Sequence, residues 1–218
     1  MNYLIHSEKH GRLTSELDII GIRFPFHSQK DRKVETSPFL EASLDRIEVM
    51  IADVKGGEIM KFNEALTKEL VGVQKMLSWI GIFTEEELVK YDSIIQNELI
   101  AVSEKPIDRF RFLDIDLKSG RYRIKFIIIN VNAEMSKPGE LKYLHGEEVL
   151  SYCWECLRLN EVVDTCSRRY NYENWGNEYE GIVRYFKSRE ENHGTIKAFY
   201  DHFKSERLDP DVASAMST

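Results

Sequence analysis

Two kinds of apolar spacing alternate along this chain, and they mark out its elements. Tyr3 and Ile5 are β-prone and predict a strand at Met1 to His6. Ser15 to Pro25 is the next such stretch: Ile19, Ile20 and Ile22 favour a strand, Pro25 ends it, and Glu16, Asp18 and Ile20 fall on one face. Ile47 to Lys55 (IEVMIADVK) carries one charge, Glu48, before it reaches Asp53. A strand this apolar is covered on both faces and belongs in the middle of a sheet. Gly56 and Gly57 then break it.

From Phe62 to Ile82 the spacing changes. Leu66, Leu70, Val73, Leu77 and Ile80 recur every third or fourth position, which predicts a helix with Gly81 at its end. Thr84 followed by Glu85, Glu86 and Glu87 reads as an N-cap with acids in the first turn, opening a helix to about Ala101. Phe110 to Asp116 and Tyr122 to Val131 flank Ser119-Gly120 as a β-hairpin, and Phe126 to Ile129 is apolar enough to join the central sheet. A short strand is expected at Leu141 to Leu144, and a helix from Gly146 to about Leu159. Val162 to Phe203 is helical in pattern and rich in aromatic residues, with Gly194 dividing it. These elements predict an α/β fold with a mixed central sheet, a core over residues 1–160, a helical C-terminal extension over 161–208 and a flexible tail over 209–218.

Composition narrows the class without choosing a function. The 218 residues are 42% hydrophobic and 31% charged, ample for a core. A net charge of −7 argues against a surface that grips nucleic acid everywhere, while leaving room for a local basic cleft such as the exposed Lys30 to Lys33 loop. Cys153, Cys156 and Cys166 are odd in number and clustered, so they do not form a disulfide framework, and a reducing, cytoplasmic setting is expected. Cys153 and Cys156 sit in an amphipathic helix pattern, which favours buried thiols over a zinc site. The N-terminal MNYLIHSEKHGR lacks the features of a signal peptide, and no apolar run is long enough to span a bilayer, so no membrane partner is expected.

The stretch that calls for explanation is the end of Ile47 to Lys55. Asp53 and Lys55 are two apart and project from one face of the strand. Burying both groups costs desolvation that apolar packing cannot return. If the preceding strand pairs with this one, Glu16 and Asp18 join them. Mg²⁺ or Mn²⁺ takes oxygen ligands, commonly one or two carboxylates with waters and substrate phosphate. Asp18 and Asp53 are the candidate metal ligands, with the Val54 carbonyl as a further oxygen. Lys55 is placed to stabilise an attacking hydroxide or the charge of the transition state. The competing reading is a structural ion pair.

Glu16-Leu17-Asp18-Ile19-Ile20, followed by an apolar strand ending Asp53-Val54-Lys55, resembles the PD-(D/E)XK nuclease superfamily, nearest its Mrr-like and Holliday-resolvase-like branches. The resemblance covers residues 1 to about 160 and implies a restriction-endonuclease-like sheet flanked by helices. It implies a metal-dependent nuclease acting on DNA in restriction, defence or repair. Asp18, Asp53, Lys55 and Glu16 would be the site, and Gln74 on the following helix would face it. A homodimer is within what it implies, because members often pair to cut both strands. This chain departs from the pattern in three ways: Leu17 stands where proline is common, Asp53 stands where Glu is more frequent, and no helix is seen before Tyr3. That last departure supports a rival expectation, a nuclease-like module without catalysis that binds nucleic acid or protein. A helical adaptor with an acidic surface is a third.

Overall fold

The computed structural model describes residues 3–6, 13–26, 43–56, 60–104, 110–131, 144–157, 177–189 and 191–208. The chain divides into two compact units, Met1–Gln29 with Thr36–His145, and Lys30–Glu35 with Gly146–Thr218.

In the first unit the strands are β1 (Tyr3–His6), β2 (Leu13–Leu17), β3 (Ile19–Arg23), β4 (Ile47–Lys55), β5 (Phe110–Leu117), β6 (Gly120–Asn130) and β7 (Leu144–His145). Three helices lie between β4 and β5: α1 (Glu64–Thr67), α2 (Leu70–Ile80) and α3 (Glu85–Glu104). The main sheet has the order β3-β4-β6-β5, with β7 also pairing with β6. β3 is antiparallel to β4, β4 is parallel to β6, β5 is antiparallel to β6, and β7 is parallel to β6. It is therefore a mixed sheet flanked by helices, in an α/β fold.

The long apolar strands are central, as their composition requires. β6 is buried continuously from Ile124 to Ile129, so both its faces are covered. One face of β4 and β6 carries Val49, Ile51, Ile124, Phe126 and Ile128 against Leu66, Val73, Met76, Leu77, Ile95 and Leu99 of the helices. The other carries Ala52, Ile127, Ile129 and Leu144. Burying one such Ile or Leu contributes about 1.5–3 kcal/mol.

Local signals account for the helices. Thr84 and Glu87 form a reciprocal capping box: the Glu87 carboxylate accepts from the Thr84 backbone N–H at 2.9 Å, and the Glu87 N–H donates to the Thr84 hydroxyl at 3.4 Å. Gly81 closes α2 at φ 77°, in the left-handed region.

Two expected continuities are broken. The helix expected over Phe62 to Ile82 is two helices, because the chain turns at Lys68 and Glu69. At that turn a Cβ on Gly72 would stand 2.0 Å from the Ala65 carbonyl oxygen, so only glycine permits the approach. The strand expected over Ser15 to Pro25 is also two. β2 pairs with β1 in a separate two-stranded sheet, and β3 pairs with β4. Asp18 is the residue between them.

The second unit is helical: α4 (Gly146–Leu157), α5 (Asn177–Lys187) and α6 (Ile196–Leu208). Its core is Leu150, Leu157, Val183, Tyr185 and Phe186, with Phe199 and Phe203 against it. Tyr185 meets Phe199 edge to face at 5.1 Å between centroids. Tyr179 and Tyr200 are exposed, and Tyr170, Tyr172 and Trp175 lie outside the described residues. α4, expected in the core that was to end at residue 160, groups with these later helices because its apolar residues are buried among theirs. Cys153 is half-buried. The expected features at the Lys30 to Lys33 loop, Cys166 and the 209–218 tail lie outside the described residues, as does the side chain of Cys156.

Candidate active site

Antiparallel register brings the two key acids together. Ile19 pairs with Ala52 as the last rung of the β3–β4 ladder. One step further along that register sets Asp18 opposite Asp53. Residues directly opposite have Cβ atoms about 4.5–5.5 Å apart, and Asp18 has left the ladder to use its side chain instead. Its Oδ2 accepts a hydrogen bond from the Val54 backbone N–H at 2.6 Å, which continues the ladder by a side chain where the strand pairing stops.

Asp53 is 1% exposed, in the middle of the sheet. Burial and the Asp18 carboxyl within hydrogen-bond reach push its carboxyl up to about 7, against the opposing pull of Lys55. The Lys55 ammonium lies 2.6 Å from Asp53 Oδ2. That approach is close but poorly aligned, so Oδ2 has a cationic neighbour and no donor pointed at it. Lys55 Nζ also donates to Asn63 Oδ1 at 3.3 Å, which steers the ammonium toward the start of α1. Two carboxyl groups therefore stand together with one ammonium on Asp53, and a buried carboxylate oxygen lacks an aligned partner.

This arrangement suits a divalent cation. Mg²⁺ commonly takes one or two protein carboxylates and keeps several waters. Asp18 Oδ1 and Asp53 Oδ2 are the oxygens such an ion would use, since Asp18 Oδ2 already serves Val54. Among the described residues no group of three or more His, Cys, Asp or Glu converges, so water and substrate would complete the shell.

Beside Lys55 a groove of about 520 Å³ is lined by Lys55, Lys61, Asn63, Thr67 and Lys68 and also by Glu64, which pairs with Lys68, and Glu104. Three ammonium groups and a hydroxyl fit a phosphate chain.

Of the other two expected site residues, Gln74 does not join this group. Gln74 lies on α2 but its amide donates to Asp92 Oδ2 on α3 at 2.6 Å, in a separate groove with Val71, Lys75 and Trp79. Gln74 is expected at the site only through the resemblance, and α2 turns it to α3 instead. Glu16 is in β2, opposite Leu4 of β1, and so in a different sheet from Asp53; its side chain lies outside the description. Asn63 was not singled out from sequence. It precedes the helix pattern as an ordinary cap residue, and only its contact with Lys55 distinguishes it.

Comparison with protein-family models, with curated proteins and with solved structures finds no match to this chain.

Proposed function

We propose that this protein is a metal-dependent nuclease that hydrolyses phosphodiester bonds in DNA. The observation that carries the reading is a second carboxyl beside a buried acid–lysine pair at the end of β4: Asp18 stands within hydrogen-bond reach of Asp53, whose cation neighbour among the described residues is Lys55. A structural ion pair balances its charges, whereas two carboxylates and one ammonium leave one negative charge over, which a proton on Asp53 or a bound cation offsets.

Asp18 and Asp53 would hold Mg²⁺ or Mn²⁺. When bound, the ion lowers the pKa of a water and neutralises charge on the scissile phosphate. Lys55 would present its ammonium to the attacking oxygen and the developing phosphoryl charge. Asn63 keeps that ammonium from swinging away, through its 3.3 Å contact. Lys61 and Lys68 position the flanking backbone in the groove.

A nuclease-like module without catalysis is the second reading. What favours it is that Lys55 stands 2.6 Å from the oxygen a metal would need, with only two acids converging among the described residues. A plasmid-nicking assay with Mg²⁺ or Mn²⁺ separates the two. Cleavage by the wild type that is lost in Asp53→Ala supports the enzyme; binding of DNA with no cleavage under any of these conditions supports the module.

A further inference from the structure

Three parallel strands end in one row. β4 ends on Lys55, β6 on Asn130 and β7 on His145. Register pairs Lys55 with Asn130 and Asn130 with His145. Side chains paired in register stand on the same face of a sheet. That face is also the face of Asp53, which is two residues before Lys55. The carboxyl ends of parallel strands are where ligands of open α/β sheets gather.

The identities in this row are not what a sheet interior asks for. β6 is apolar from Phe126 to Ile129 and then turns to Asn130. β7 is a leucine followed by a histidine that is only 6% exposed. Asp53 is equally deep in the sheet, so a substrate that reaches one reaches the level of the other.

The spacing of the row has a chemical reading. Neighbouring strands lie about 4.8 Å apart, so Lys55 and His145 are separated by about 10 Å at the backbone. In-line displacement puts the attacking and leaving oxygens on opposite sides of phosphorus. With Lys55 on the attacking oxygen, the group that serves the leaving oxygen must stand on the far side. Side chains that leave one face from backbones so spaced can address the two ends of one phosphoryl group.

Resting on the nuclease reading above, we propose that His145 is the proton donor to the leaving oxygen, and that Asn130 between them holds a non-bridging oxygen of the scissile phosphate. As water bonds to phosphorus, the bond from phosphorus to the sugar oxygen breaks. The electron pair of that bond takes the proton of the His145 imidazolium. The attacking water loses its own proton to solvent, and the imidazole regains one from solvent. A donor of this kind contributes about 10²–10⁴-fold.

The test is the dependence on the leaving group. His145→Gln and wild type are compared on DNA, whose sugar oxygen leaves poorly without a proton, and on bis(p-nitrophenyl) phosphate, whose phenolate leaves without one. The expected result is a loss of about 10²-fold or more on DNA and of less than about threefold on the aryl diester. Equal losses on both substrates, or no loss on DNA, overturn the assignment. If the variant melts well below the wild type, a series of aryl diesters with increasingly basic leaving groups decides it on the wild type alone. A shallow dependence supports a proton donor, and a steep one overturns it. Asn130→Ala, in EDTA, is expected to weaken binding of a fluorescent DNA several-fold by anisotropy; unchanged binding removes the phosphate contact. Wild type that cleaves neither substrate removes the nuclease reading itself, which is a different failure from uniform loss in an active enzyme.

Discussion

β4 carries two buried acid–lysine pairs, one on each face, and they are built differently. Near its start, Glu48 lies 3.1 Å from Lys125, at 6% and 5% side-chain exposure. The same Glu48 oxygen accepts the Ser43 backbone N–H at 2.8 Å. One acid meets one base and a backbone donor, so that pair is closed. At the other end, Asp53 meets Lys55 at 2.6 Å without alignment, and a second acid, Asp18, stands within hydrogen-bond reach. The first pair cancels its own charge where it is buried. The second leaves negative charge over, at a sheet end that opens on a groove lined by lysines. Burial of charge alone therefore says little about function; the balance of charges says more.

The comparison can be broken at four points. The largest effect belongs to the unbalanced end. Lys55→Ala and Asp53→Ala each lower metal-dependent DNA cleavage by about 10²–10³-fold with the fold retained by circular dichroism; full cleavage by Lys55→Ala sinks its assigned role. Next, Lys125→Met leaves Glu48 buried without its cation and costs about 3–5 kcal/mol in denaturant unfolding, with the cleavage rate per folded molecule unchanged. A loss of activity beyond the loss of folded protein would show that the closed pair also serves the site.

A smaller and opposite stability change is expected from Asp53→Asn. The folded carboxyl titrates at about 7, against about 3.9 in an unfolded chain. Between those values the folded state binds more protons, so wild-type stability falls as pH rises from about 4 to 7. Asp53→Asn has no such loss. It is expected to be more stable than wild type by on the order of 1–2 kcal/mol at pH 7.5, the gap closing by pH 4. A variant that is less stable at pH 7.5 would mean that the pair is structural. Mg²⁺ should narrow the same gap, because it stabilises only the wild type. The smallest effect is Gln74→Ala, expected to leave cleavage within about twofold while loosening the α2–α3 contact through Asp92. A large catalytic loss would return Gln74 to the site.

Much of this architecture was legible in the sequence because the signals are local. A long apolar stretch has to be a two-sided strand, and both β4 and β6 are. Thr84 with Glu87 marks a helix start, and Gly81 a helix end, by hydrogen bonds and φ values that neighbours along the chain decide. Asp53 and Lys55 stood out because two charges closing an apolar run conflict with their surroundings. Helix phase was less legible. A period of 3.6 shows that residues share a face, but it does not show that the chain pauses at Lys68 and Glu69, nor that Gln74, expected at the site from the resemblance alone, turns to Asp92.

What the sequence determined by itself is which segments are strand or helix and which charges are out of place in them. Each of those follows from spacing and from the chemistry of a few adjacent residues. Only the tertiary structure decided which distant residues meet. The break at Asp18 sends β2 and Glu16 to one sheet and β3 to another, and the antiparallel register of β3 then sets Asp18 against Asp53. Parallel pairing of β4, β6 and β7 aligns Lys55, Asn130 and His145, which lie far apart along the chain. The physical reason is that register is fixed by burial of whole strand faces, a property of the assembled sheet that no single stretch contains.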